Sequence, residues 1–304
     1  MATATTNREN HYYKTKIGLI QLNSKLNPLE NISFIRNLIP QVKSEGISLL
    51  FLPEYFYSLG KNYNTPHLVE LNNEHYENIL SLATECGVYL LGGTAATRSP
   101  ANASPTNTLP ANTPPAIYNR TYNFSPSGEL LPHYDKINLF KCNLSNLADN
   151  KSHDESKIYT AGTTPLALTL NIPFQELKVK IGFGVCFDLR FPELFRNYVS
   201  KYNVQLLSIC AAFTVATGKA HWHTLLRARA IENQAYVVAA AQVGHHDGGI
   251  TTYGHSLIID PWGEIIVDAG GNEDNVGLWS AEIDLLYLDE VRSRMSVFNS
   301  INYS

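Results

Sequence analysis

Short apolar runs closed by Gly, Pro, Asn or Asp recur along the whole chain and predict strands over Lys16–Asn23, Ser48–Glu54, Val88–Ala96 and Tyr118–Ser125. Further runs cover Val179–Asp188, Val204–Ala212, Tyr236–Val243, Ser256–Asp260, Glu264–Ala269 and Gly277–Asp284. Several are apolar at successive positions, as strands covered on both faces are. Ser125-Pro126-Ser127-Gly128 reads as a turn, and Asp260-Pro261-Trp262-Gly263 as the turn of a hairpin. Between the strands lie helical patterns. Ile32, Ile35, Ile39 and Val42 share one face, with Pro40 expected to kink or split that helix. Glu74–Cys86 stops at Gly87, Pro192 opens a helix over Glu193–Tyr202, and Lys219–Gln234 is the longest helical stretch. The order β-α-β-α-β occurs early and again late, which predicts a layered α/β domain with mixed sheets. No G-x-G-x-x-G or phosphate-binding loop follows any strand, so nucleotide binding has no support.

Composition narrows the classes. The 304 residues are 44% hydrophobic and 16% charged, too apolar for a disordered chain. No apolar run approaches the roughly 18 residues of a membrane span. A net charge of -4 offers no basic field to a nucleic-acid backbone. The four cysteines, Cys86, Cys142, Cys186 and Cys210, form no CxxC pair, which disfavours a zinc ribbon or a disulfide scaffold. The N-terminus has no apolar leader core, so a reducing cytoplasm is the expected compartment. A mitochondrial pool is a weaker expectation from its Thr-rich start with Arg8, Lys14 and Lys16. The N-x-S/T triplets at Asn119 and Asn123 then read as chance. Residues 98–115 carry five prolines and read as a surface loop inserted between two strands.

Three polar residues stand in apolar settings. Cys186 ends a buried strand, with small residues before it and a helix start after it. Free backbone N–H groups at such a turn lower a thiol's pKa and bind an oxyanion. The plainer reading is a small buried hydrophobe, the one given to Cys86, Cys142 and Cys210. Glu54 ends Leu49-Leu50-Phe51-Leu52-Pro53, where desolvation would raise its pKa toward that of a working base; otherwise it caps the strand in solvent. Lys136 precedes apolar residues and could stabilise an oxyanion, or simply pair with Asp135 in solvent. His221 and His223 point apart at helical i, i+2 spacing, and His245-His246-Asp247 lies beside a Gly-rich turn, so no metal is expected.

FLPE around Glu54, YDKINLF around Lys136 and GVCFDLRFPEL around Cys186, in that order, resemble the three motifs of the nitrilase, or carbon–nitrogen hydrolase, superfamily. Ala212–Trp222 and Tyr253–Glu264 extend the resemblance, which spans about Lys16 to Phe298. It implies one α-β-β-α sandwich over 16–298, between an N-terminal segment 1–15 and a tail 299–304, paired into a homodimer. It also implies roles. Cys186 would be the nucleophile, Glu54 the general base and acid, and Lys136 with the Phe187 N–H the oxyanion hole. Glu155 would buttress Lys136. Arg190 would grip a substrate carboxylate, with Tyr134, Phe213 and Thr217 lining the pocket. Leu225–Gly244 resembles most the branch acting on deaminated glutathione, with the omega-amidases as the alternative. The implied partner is a small amide bearing a carboxylate, with no cofactor, metal, nucleic acid or membrane. Three departures stand out: Asp135 and Asn138 flank Lys136 where relatives have Arg and His, Lys141–Asp154 replaces an acidic loop, and the C-terminal Arg pair is absent. Two readings from other classes remain: a silent binding protein on the same fold, and a Cys-Asp-His enzyme using His245 or His255.

Overall fold

The apolar runs assemble into two stacked sheets. The computed structural model describes residues 13–99, 115–143, 152–173 and 175–297. The first half runs β1 (Lys14–Gln21), α1 (Pro28–Ser44), β2 (Leu49–Phe51), α2 (Glu74–Cys86), β3 (Tyr89–Leu91), β4 (Thr94–Arg98) and β5 (Ile117–Thr121). There follow β6 (Lys141–Asn143), β7 (Ser152–Asp154), β8 (Ala167–Asn171), β9 (Lys178–Val185), α3 (Pro192–Tyr202), β10 (Leu206–Cys210) and α4 (Val215–Asn233). The chain ends with β11 (Tyr236–Ala239), β12 (Val243–His245), β13 (Thr251–Tyr253), β14 (Leu257–Ile259), β15 (Ile265–Asp268), β16 (Gly277–Asp284) and α5 (Leu285–Arg294).

One sheet has the order β16-β1-β2-β3 and the other β15-β14-β11-β10-β9-β8. Each has a parallel stretch, β1-β2-β3 and β9-β10-β11; β16 adds antiparallel to β1 in the first sheet, while β8 adds antiparallel to β9 and β14 to β11 in the second, with β15 antiparallel beyond β14. Strand alternation explains the two-faced apolar pattern. Ile17, Leu19, Leu49 and Phe51 face Val179, Ile181, Leu206 and Val238 between the sheets. Ile20, Leu50 and Leu90 face outward onto Ile32, Ile35 and Val42 of α1 and Ile79 of α2. Leu207, Ile209 and Val237 face outward onto Phe195 of α3 and Trp222 and Leu226 of α4. These three cores make a four-layer α-β-β-α sandwich, the architecture expected from the resemblance.

Several elements differ from the sequence reading. Helix α1 is not split at Pro40. The proline sits on the exposed face, where water can serve the carbonyl it leaves unbonded, and the buried Ile32–Val42 stripe holds the helix across it. The run Val88–Ala96 divides at Gly92, whose φ of 76° turns the chain out of the sheet. Helix α5 carries only Leu285, Leu288 and Val291 as buried contacts, too sparse a pattern to stand out; Asp284 caps it by accepting from the Leu286 and Tyr287 N–H groups. Strand β4 pairs with β5, setting Arg98 opposite Ile117, so the Pro-rich segment joins the ends of a hairpin. Residues 1–12, 100–114, 144–151 and 298–304 lie outside the described residues, and with them most of that segment, the middle of the Lys141–Asp154 loop and the tail. Among the described residues, no helix is long and apolar enough to cross a membrane.

The fold buries one histidine in its neutral form. His246 lies against the Ser24 carbonyl through Nδ1 at 2.9 Å and Thr252 Oγ1 through Nε2 at 2.7 Å, and burial lowers its pKa to about 4. Between the unfolded value of about 6.5 and about 4, the unfolded chain holds a proton that the folded chain does not. Stability therefore falls as pH drops through this window, by roughly 3 kcal/mol in all from this group. Thermal melts from pH 7 to 4 should show that decline, and His246→Gln should flatten it.

Candidate active site

Strand ends from both sheets bring the polar residues together. Glu54 follows β2 and Pro53, and its backbone carbonyl accepts from Gln242 Nε2 at 2.9 Å. Lys136 is pinned beside β5 by its N–H to the Asn119 carbonyl, while its own carbonyl accepts from the Gly162 N–H. The β6–β7 hairpin returns the chain so that Glu155 faces Phe140, exchanging backbone and side-chain bonds with it. As a result Lys136 Nζ lies 2.9 Å from Glu54 Oε1 and 2.9 Å from Glu155 Oε2. Asn119 Nδ2 donates to Glu54 Oε1 at 2.8 Å and to the Tyr55 hydroxyl at 3.0 Å, and Tyr55 in turn donates to Glu155 Oε1 at 3.0 Å. The Ala212 N–H, just past β10, donates to Glu54 Oε2 at 2.8 Å.

These charges are almost wholly out of water: Glu54 and Lys136 are each 1% exposed and Glu155 4%. Such a cluster survives only when paired. Burial alone would discharge Lys136, but the two carboxylates reverse that and hold it firmly cationic. Burial raises the Glu54 pKa, with Lys136 opposing and Glu155 adding to the rise. The Cys186 thiol, within hydrogen-bonding reach of Glu54, is pushed well up by burial and then by Glu54 and Glu155. The sequence expectation of a thiol acidified by backbone N–H groups is therefore corrected. The Ala212 N–H does favour the thiolate, but burial and two neighbouring carboxylates outweigh it.

Cys186 sits where β9 passes into a tight turn over Cys186–Arg190, at a φ of 48° that few residues other than Gly adopt. Asp188 holds this turn. Its Oδ2 accepts from the Val185 N–H at 2.9 Å and from the Tyr134 hydroxyl at 2.8 Å. Its Oδ1 accepts from the Asn138 N–H and side-chain amide at 2.9 and 2.8 Å. Next to Cys186 a pocket opens, walled by Tyr63, Phe140, Phe187, Phe213, Thr214 and Thr217, with Arg190 at its side. The Arg190 guanidinium lies 5.5 Å from the Phe213 ring centre and 3.3 Å from His221 Nδ1; among the described residues no carboxylate pairs with it.

Comparison with known proteins decides the family. The carbon-nitrogen hydrolase family profile matches residues 16–293. The chain belongs to the carbon-nitrogen hydrolase family. It is 35% identical over 276 residues to a deaminated glutathione amidase of Synechocystis sp., covering 91% of this chain and 94% of that protein. It is 33% identical over 285 residues to the omega-amidase NIT2 of Xenopus tropicalis, covering 93% and 94%. The crystal structure of the Caenorhabditis elegans NitFhit protein superposes with a TM-score of 0.76 at 31% identity, over 96% of this chain and 66% of that one. As a member of this family, the chain is a hydrolase acting on amides.

In this carbon-nitrogen hydrolase the structure gathers Glu54, Lys136, Cys186, Glu155, Phe187, Arg190, Phe213 and Thr217 at one pocket. Tyr134 does not line it. Its side chain is fully buried behind the Cys186 turn and positions Asp188. Asp135 pairs with Arg120 at 2.7 Å, which leaves Lys136 to the carboxylates. Asn138 takes up Asp188, so both departures around Lys136 have defined partners. Tyr55, Asn119 and the Phe140 and Ala212 N–H groups escaped the sequence reading because a polar residue in a strand or loop carries no mark of what it faces. The Asn119 and Asn123 side chains, in the N-x-S/T triplets, are both fully buried. His245 pairs with Glu273 and His255 with Asp268, and neither lines the pocket, which removes the Cys-Asp-His reading.

Proposed function

We propose that the chain is a thiol amidase that hydrolyses deaminated glutathione to α-ketoglutarate and Cys-Gly. The observation that carries this reading is the Cys186 thiol beside the buried Glu54–Lys136–Glu155 cluster, in a pocket with the Arg190 guanidinium, which no carboxylate of the described residues pairs with. Glu54 takes the thiol proton as Sγ attacks the amide carbonyl carbon. The oxyanion develops against Lys136 Nζ and the N–H of Phe187, the second residue of the short turn, where helical N–H groups lack an intrahelical acceptor. Protonated Glu54 then gives its proton to the leaving nitrogen, the C–N bond breaks, and a thioester remains on Cys186. Glu54 next takes a proton from water, the hydroxide attacks the thioester, and the thiol and acid are restored. A raised Glu54 pKa suits a group that must both take and return a proton near neutrality. Glu155 and Tyr55 position Lys136 from behind.

Arg190 is assigned the distal carboxylate of the α-ketoglutaryl group, which its planar fork matches in two parallel bonds. Replacing it in Arg190→Gln is expected to lower kcat/KM for such a substrate by about 10- to 150-fold, through loss of a charged hydrogen-bonded pair. An amide of the same length lacking the carboxylate should be nearly unaffected; steady-state kinetics on both substrates check this. A second reading, an omega-amidase releasing ammonia from α-ketoglutaramate, is favoured by the similarity to the NIT2 relatives. The two are separated by turnover of both compounds on one preparation, because only the second yields ammonia. Preference for α-ketoglutaramate would replace the first reading. A cytoplasmic homodimer completes the proposal, the pairing supported by the exposed apolar side chains of Ile231 and Trp262.

A further inference from the structure

Outside the pocket, one cluster of ligand-type side chains has no part in the chemistry above. His223 on α4, His255 just before β14 and Asp268 at the end of β15 converge from distant parts of the sequence, with one donor atom from each within 4.8 Å of the others. His223 Nε2 lies 3.1 Å from Asp268 Oδ2, and His255 Nδ1 lies 2.9 Å from Oδ1 and 3.1 Å from Oδ2. We propose that His223, His255 and Asp268 bind a divalent first-row transition-metal ion such as Zn2+, an ion that ties α4 to the β14–β15 hairpin.

The spacing suits this occupant. Metal–ligand bonds of about 2.0–2.1 Å, opened at tetrahedral or octahedral angles, set donor atoms roughly 2.9–3.4 Å apart; both His–Asp separations fall in that range, and the two histidine donors lie within 4.8 Å of each other. Two imidazoles and one carboxylate match the preference of Zn2+, Co2+ and Ni2+ over Mg2+ or Ca2+, which favour oxygen alone. The ligands are also held from outside. The Gly270 N–H donates to Asp268 Oδ1 at 2.8 Å, and the Trp222 indole donates to the His255 carbonyl at 2.7 Å. His255 keeps a left-handed φ of 54° and stacks on Tyr253 with ring centres 4.5 Å apart. The three side chains are 24–35% exposed, so an ion can enter and water can complete its shell. The expectation that no metal binds rested on neighbouring histidines, and those do diverge. His221 faces Arg190 while His223 faces Asp268, and the ligand set forms across elements.

The test is calorimetric titration of Zn2+ into the tag-free, chelator-stripped full chain carrying Cys186→Ala, which removes the pocket thiol as a rival ligand. Saturable binding of one equivalent at low-micromolar affinity or tighter is expected, with a rise in Tm. His223→Ala and, separately, Asp268→Asn should each weaken binding by at least about tenfold while melting cooperatively without metal. His223 lies on an exposed helix face, so its truncation leaves the core intact. Absence of saturable binding in the parent, or undiminished binding in either folded variant, overturns the proposal.

Discussion

Cys186→Ala is expected to abolish amide turnover, by a factor on the order of 10⁴ or more, while leaving the fold unchanged. The loss is large because, among the described residues, Cys186 is the only thiol lining the pocket: Cys86 and Cys210 are buried, and burial pushes the Cys86 thiol up to about 12. The fold should survive because alanine keeps the Cβ, so the cost of the 48° φ is already part of the native structure. Release of α-ketoglutarate measures the first effect and thermal melting the second. Alkylation adds a sharper reading. Burial and two carboxylates push the Cys186 thiol well up, so on the proposed mechanism loss of its proton is expected to depend on Glu54. Iodoacetamide should therefore label Cys186 in preference to Cys86 and Cys210, and Glu54→Gln should slow that labelling. Full turnover by Cys186→Ala would sink the covalent mechanism.

Lys136→Met should be the most destabilising single change in the site. It removes the cation between two carboxylates that are nearly inaccessible to water. Uncompensated buried charge costs about 3–5 kcal/mol. The pH dependence gives the cause away. Without the ammonium that opposes it, the Glu54 pKa rises further above its unfolded value, so the folded chain holds a proton that the unfolded chain has released. Stability of the variant then falls as pH rises, and acidification from pH 8 toward 5 should narrow its Tm deficit. A deficit that is constant with pH would mean that Lys136 contributes packing alone. Activity should fall by about 10²- to 10³-fold even where the variant is folded, through loss of the oxyanion's charged donor.

Much of this was legible in the chain itself. Apolar runs bounded by turn residues marked the strands of both sheets except β8, because a strand covered on two faces has few polar positions to spare, whereas β8 is an edge strand with alternating exposed positions. Capping signals set Gly87 and Pro192 at their helix ends. Glu54, Lys136 and Cys186 stood out because a charge or a thiol at the end of a buried strand demands a reason, and three ordered motifs supplied the family. The sequence could not say what faces what. Tyr134, read as part of the pocket wall, lies behind the Cys186 turn, since strand-end residues close in sequence point to opposite sides of a layer. Asn119 looked like a chance triplet until β5 laid it against Glu54. The thiol is pushed up and not down because burial and nearby carboxylates act through three-dimensional distance and hardly at all through neighbours in the chain. His223, His255 and Asp268 meet only because α4 packs along β13 and β14. Local pattern thus marked most of the elements and the candidate polar residues, while packing alone decided partners, burial and charge state.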